Sequence, residues 1–363
     1  MRTTLDTFLQ ELNERTEEND QYPVLTSSKS GLYLQSDYFN KQVASRDNTG
    51  YKIIRRGQFT YRAMSDTGEF FPNMLECADV GIVSPAYPVF KISRPELIDP
   101  NYLKYFFRSD SFQHSIASFA QGSTRTSVKF GKMKTVSIEL PDLEMQARII
   151  EILDRASKII EIKEAEIEKL DELIKARFVE LFGRPEDKKY PSVRLGDYAK
   201  LQGGYAFKSK DFVDEGVPLV QIGNVNKDYL DWDVINAVPE EYIDKYSEFA
   251  LSKDDLVMAM TRPIIKSLGS VKIAKVAEDD LPCLLNQRVG RFQIKDKIHP
   301  VFLEILCKTD DFKDYVERMS GNSLQPNISS KQVEDYIIIL PPIELQEIFA
   351  EFVKQVDKSK FVA

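Results

Sequence analysis

The chain has 363 residues, 42% apolar and 29% charged, with 57 acidic against 49 basic side chains and a net charge of −8. That is the composition of a folded protein with length for two or three domains, and it argues against a long disordered tail or whole-molecule attraction to nucleic acid. Cys77, Cys283 and Cys307 lack ligand spacing, and His114 and His299 stand apart, which speaks against a disulfide framework, a metal centre or His-based catalysis.

In chain order, "MRTTLDTFLQELNERTEEND" is polar and helix-like, so a helix is expected there rather than a secretory or transit peptide. No apolar run spans a bilayer, and reduced thiols suit the cytoplasm, with no membrane partner. Over residues 1–142, short β runs alternate with turn signals such as "DNTG", which predicts a mixed α/β globule. Inside it, "KQVASRDNTGYKIIRRGQFTYR" carries six basic residues against one acid.

The texture then changes. From Leu143 to Phe182 there is no Gly or Pro, and Ile149, Ile152, Ala156, Ile159/Ile160, Ile167, Leu170, Ile174, Phe178 and Leu181 recur in steps dominated by three and four. This is a heptad-like seam with Glu/Lys flanks, stopped by "GRP" at Gly183. A spacer helix over 143–183 would be a rod of roughly 60 Å and would need a partner helix for its apolar stripe. Residues 184–341 read as a second mixed globule, with turns "LQGG", "DEG" and "KSLG" and an acid-free basic strip "RPIIKSLGSVKIAK". A last, shortened helix is expected over 342–363.

The two halves repeat at an offset of 200 without a gap. Pro100 meets Pro300, Leu103 meets Leu303, Asp110 meets Asp310 and Phe112 meets Phe312. The register continues through Ile138/Ile338, Pro141/Pro341, Glu144/Glu344, Gln146/Gln346 and Glu151/Glu351. Upstream the echo is weaker: "QYPVLTSS" sits like "GVPLVQIG", "RRGQFTYRAM" like "KDDLVMAMT", and "YPVFKIS" like "VGRFQIK". Ala363 corresponds to Lys163, so the far part of the long helix has no internal counterpart. An antiparallel coil should therefore form lopsidedly, with one end of the long helix bare. A trimmed chain, a shortened or rearranged gene, and completion by a second chain are the open explanations.

Nucleotide loops, methyltransferase motifs and Ser/Cys–His pairings are absent from the sequence, which reads as a binder. Before each matched strand lies a polar loop, "QGSTRTSVKFGK" and "SGNSLQPNISSKQ". Their Thr124, Arg125 and Lys129, and Asn322, Gln325 and Asn327, are residue types that donate to phosphates and base edges. Turns of the first globule add Ser28, Lys29, Tyr33 and Arg62. Those of the second add Tyr205, Lys208, Gln221, Asn224, Arg262, Lys266, Gln287 and Arg288. Ordinary solvated loops and core-edge residues are the competing account.

The segment "VRLGDYAKLQGGYAFKSKDF", the paired "LPDLEMQARI" and "LPPIELQEIF", the "ELIKARFVELFG" closing the long helix, and the repeat itself occur in an order that resembles the specificity subunit of type I restriction–modification systems. The resemblance implies an α+β fold: two mixed α/β target recognition domains separated by long antiparallel coiled-coil helices, with an internal pseudo-two-fold. It implies a non-catalytic subunit in which each domain reads half of a split site on double-stranded DNA and the helices set the gap. It further implies two modification subunits that bring S-adenosylmethionine and methylate adenine. Restriction subunits using ATP and magnesium would translocate and cleave; the chain itself would hold no cofactor. A second copy of the chain is a further candidate partner. The rival readings are a two-lobed protein-interaction scaffold and the recognition part of a combined nuclease–methyltransferase.

Overall fold

The computed structural model describes residues 2–38, 47–65, 67–119, 126–183, 187, 189–321 and 323–362. The chain divides into two compact units, Met1–Glu161 and Ile162–Ala363, with the boundary inside the long helix.

In the first unit, strand Arg2–Thr4 pairs antiparallel with Ser137–Glu139, placing Thr3 opposite Ile138. Leu9–Leu12 pairs with Val89–Ile92, whose other edge takes Phe59–Thr60. The core beneath is aromatic: Phe8, Phe59, Tyr61, Phe90, Phe107 and Phe112 are all buried, with Phe59 stacked on Phe90 at 5.6 Å. The N-terminal stretch is thus two short strands around one 3₁₀ turn, Leu5–Thr7, and not the expected helix. Leu5, Phe8 and Leu9 have helix-compatible spacing, but backbone pairing with distant strands overrides local preference.

The second unit repeats this plan. Ser192–Arg194 pairs with Ile337–Ile339, placing Val193 opposite Ile338. Ala199–Gly203 pairs with Val289–Ile294, which pairs in turn with Leu256–Ala259. The weak upstream echo is therefore structural, since "FTYRAM" and "LVMAMT" occupy matching strands and exits. The helix pairs Pro100–Phe106 with Asp110–Ala117, and Pro300–Leu306 with Asp310–Ser320, also correspond.

The Glu-x-Gln motif has a specific mechanical role. Gln146 and Gln346 are both 0% exposed. Gln146 accepts from the Asp99 N–H at 2.8 Å and donates to the Leu97 and Pro141 carbonyls. Gln346 accepts from the His299 N–H at 2.8 Å and donates to the Lys297 and Pro341 carbonyls. Each glutamine therefore locks the proline corner to the turn that opens the helix pair. Gln346→Leu leaves those groups unpaired and should destabilise the second unit by about 1–3 kcal/mol. Urea unfolding checks this, and an unchanged midpoint would remove Gln346 as the lock.

The helix pairs start with Pro at the first position and a capping side chain before it. Asp99 accepts from the Asn101 N–H at 2.7 Å, whereas His299 Nδ1 accepts from the Val301 N–H at 3.2 Å. Burial holds the His299 pKa below its ordinary value, against a weaker upward pull from Glu347. Protonation therefore favours the unfolded chain. The cap's contribution is complete above the ordinary histidine value and is lost as pH falls through the depressed folded one. His299→Asp, copying the first half, should flatten that loss below the ordinary histidine value in thermal unfolding; an unaltered slope would exclude His299 as its source.

The long helix runs Leu143–Phe182 and ends at Gly183, whose φ of 74° is left-handed. The last helix runs Ile343–Val362. Within the second unit they pack antiparallel: Phe182 meets Phe349 at 5.3 Å, while Asp171 meets Lys360 at 2.7 Å. Phe302 and Phe349, covered by Phe178 and Phe182, are fully buried; their counterparts Tyr102 and Ile149 are only half-buried. On the same helix Ile152, Ile159, Ile160 and Ile162 are 66%, 60%, 58% and 52% exposed. The last helix thus covers the far part of the long helix, and these isoleucines lie outside that cover. Among the described residues no helix is long and apolar enough to cross a membrane, and no cluster of His, Cys, Asp or Glu suits a metal.

Candidate nucleic-acid interface

In the second unit, the loop before strand Ile337–Ile339 folds back on the exit of strand Leu256–Ala259. The Arg262 N–H donates to the Pro326 carbonyl at 2.7 Å, and the Ile328 N–H to the Met260 carbonyl at 2.8 Å. Thr261 Oγ1 donates to Asn327 Oδ1 at 2.7 Å. On the other side, the Met260 N–H donates to the Arg288 carbonyl at 2.7 Å, and the Gln287 N–H to the Tyr205 carbonyl at 2.8 Å. Tyr205, Arg262, Gln287, Arg288 and Asn327, scattered in sequence, thus belong to one hydrogen-bonded set of loops.

Two of these residues stand out physically. Arg262 and Arg288 have φ of 50° and 69°, the left-handed region that non-glycine residues occupy at a cost. Both are exposed. Other described arginines of this unit are engaged: Arg177, Arg194 and Arg291 face carboxylates and Arg318 lies over Tyr315. Neither Arg262 nor Arg288 has such a partner among the described residues. Lys266 is exposed in the following hairpin, Ile264–Ile265 with Ser270–Val271. Lys272 joins the patch: burial first, then the neighbouring Arg262 charge, holds its pKa below the usual lysine value. The result is a local cationic surface on an acidic chain.

The remaining candidates of this unit divide. Tyr205 is 39% exposed at the edge of an aromatic cluster with Tyr246 and Phe207 at 4.5 and 4.9 Å, and Lys208 beside it is exposed. Gln325 is exposed on the loop. Gln221 is half-buried, its Oε1 accepting from Asn236 at 2.7 Å. Asn224 is 4% exposed and spends its side chain internally, accepting from the Gln221 N–H and donating to the Asp231 and Val234 carbonyls. It shapes its loop and offers nothing to a ligand, a correction to its reading as a contact residue. Asn322 lies outside the described residues.

The first unit builds the same feature in the same register. Thr126–Ser127 pairs with Met64–Ser65, and the Val128 N–H donates to the Ala63 carbonyl at 3.0 Å, as Ile328 does to Met260. Ser127 stands opposite Met64 as Asn327 stands opposite Thr261. Ser65 therefore holds the place of Arg262. Beside it, a pocket of 270 Å³ brings together Ser28, Lys29, Arg62, Ser65 and Phe71. Lys29 pairs with Glu69 at 3.3 Å and lies over Phe71 at 5.2 Å. Tyr33 sits opposite Thr26 in a two-stranded ribbon, half-buried. Lys129 is exposed at the start of the short helix Phe130–Met133. Thr124 and Arg125 lie outside the described residues.

Both halves match the family model of the type I restriction modification DNA specificity domain, over residues 7–172 and 186–361. The chain belongs to this family. It is 31% identical over 347 residues to the type I restriction enzyme MjaVIII specificity subunit of Methanocaldococcus jannaschii, covering 90% of this chain and 79% of the relative. It is also 31% identical over 174 residues to the EcoAI specificity subunit of Escherichia coli, covering 47% of this chain and 29% of that one. A solved chain described under "Structural basis underlying complex assembly and conformational transition of the type I R-M system" shares the fold. Its TM-score is 0.51 at 17% identity, covering 100% of this chain and 91% of the other. As a type I specificity subunit, the protein serves DNA recognition and not catalysis, and each of its two specificity domains contains one loop-on-strand surface. Thr261 and Lys272 are members of that surface which residue-type reasoning passed over, although Lys272 lay in the basic strip.

Proposed function

We propose that each unit reads one half of a split duplex target through its loop-on-strand surface, and that the chain hands this choice to modification subunits that do the chemistry. The observation that carries the reading is the shared register: Ser65–Thr126 and Arg262–Pro326 occupy one architectural position and present different side chains. One scaffold with two different faces suits a target whose halves differ. Arginines read guanine by forking onto its major-groove edge, and lysines hold phosphates without sequence choice. In these terms Arg262 and Arg288 specify, while Lys208, Lys266 and Lys272 position.

The net charge of −8 leaves much of the phosphate attraction to partners closing around the duplex. Those partners are two modification subunits holding S-adenosylmethionine for adenine methylation, joined by restriction subunits using ATP and magnesium. The long helix and the last helix act as the spacer between recognition domains. A second copy of the chain is a further candidate partner, and the cytoplasm is the site of action.

The test is selection from a pool of random duplexes by the chain mixed with its modification subunit. Enrichment of one bipartite sequence with a constant gap supports the proposal. Folded protein that enriches nothing points to the protein-interaction scaffold instead.

A further inference from the structure

We propose that Thr261 and Asn327 are a positioning couple that sets base discrimination by the second unit; this rests on reading the Arg262 surface as a DNA contact. Asparagine reads adenine by using its carbonyl and amide together. Asn327 is exposed, but its Oδ1 already accepts the hydroxyl of Thr261, which is 3% exposed. With the carbonyl turned inward, the carboxamide presents N–H donors to a ligand and does not offer the paired donor and acceptor that adenine needs. Its task is different: it holds the loop to the arginine strand.

That holding matters because of Arg262. Its N–H is bound to the Pro326 carbonyl, next to Asn327, and its backbone is left-handed. The Ile328 N–H closes the other side onto the Met260 carbonyl. The couple lies between these two bonds, so the guanidinium's starting point moves with the loop. The first unit has Met64 and Ser127 at the two positions, yet it also adds a side-chain bond across the same ladder: Thr126 Oγ1 donates to the Ser65 carbonyl at 3.1 Å. Two unlike sequences supply a clamp at one architectural point. Loose loops blur readout, because a bidentate contact tolerates little displacement.

The experiment uses the complex with modification subunits and compares Thr261→Val, Thr261→Ser and Arg262→Ala. Affinities are measured for the target and for single-base variants in each half-site, across a salt series. Thr261→Val should lower discrimination roughly five-fold in one half-site only, with an unchanged salt slope, and Thr261→Ser should restore it. Equal weakening for every sequence, loss in both half-sites, or failure of serine to rescue would overturn the couple. If Arg262→Ala relaxes one half-site and Thr261→Val does not, the clamp falls and the surface stands. If neither changes discrimination, the reading of the surface falls as well.

Discussion

Replacing Arg262 and Arg288 together should erase sequence choice in one half-site and leave the other intact. A bidentate arginine–guanine contact contributes about 1–3 kcal/mol of discrimination, so each side chain is worth roughly a five- to 150-fold preference. Both guanidinium groups are exposed and have no acidic partner among the described residues, so their loss should not unfold the protein. The substitution to choose is glycine. At φ of 50° and 69°, glycine relieves backbone strain that is of order 1–3 kcal/mol per residue. The Arg262→Gly, Arg288→Gly variant should then be at least as stable as the parent while reading DNA poorly. Stability gained where recognition is lost is the behaviour of a functional site under strain. Binding that weakens equally for all sequences would instead assign the pair to phosphates.

The second large effect concerns the helices. Phe349 is fully buried against Phe178 at 5.5 Å and Phe182 at 5.3 Å. Phe349→Ala should cost about 3–5 kcal/mol, from lost transfer energy and the cavity left behind. Ile159→Lys and Ile160→Lys, on the same long helix at 60% and 58% exposure, should change stability by no more than about 0.5 kcal/mol. Chemical denaturation of the isolated chain separates these outcomes. Core-sized losses from the isoleucine variants would contradict the lopsided coil.

Much of this architecture was legible because duplication places the same physics twice. The offset of 200 picked out Gln146 and Gln346 before their buried hydrogen bonds were visible, and the run without Gly or Pro marked the 40-residue helix. The N-terminal strands were not legible. Arg2–Thr4 is three residues long and pairs with Ser137–Glu139, and three residues cannot display a two-residue period. Convergence at the interface was equally hidden, since the bond from Met260 to the Arg288 carbonyl joins segments that nothing local relates. Thr261 carries no signal of its own; only its position opposite Asn327 gives it one. For Asn224 a signal existed: asparagine after glycine in "QIGNVN" is a turn former, and such side chains bond their own loop first.

The central claim, two recognition units reading the two halves of one split target, is tested most directly by mapping DNA methylation in a host carrying this gene with its modification partner. The account predicts an adenine-methylated motif in two unlike parts with a constant gap, and loss of bases in one part only when Arg262 and Arg288 are replaced. A continuous motif, two identical halves, or a methylation pattern indifferent to this chain would contradict it.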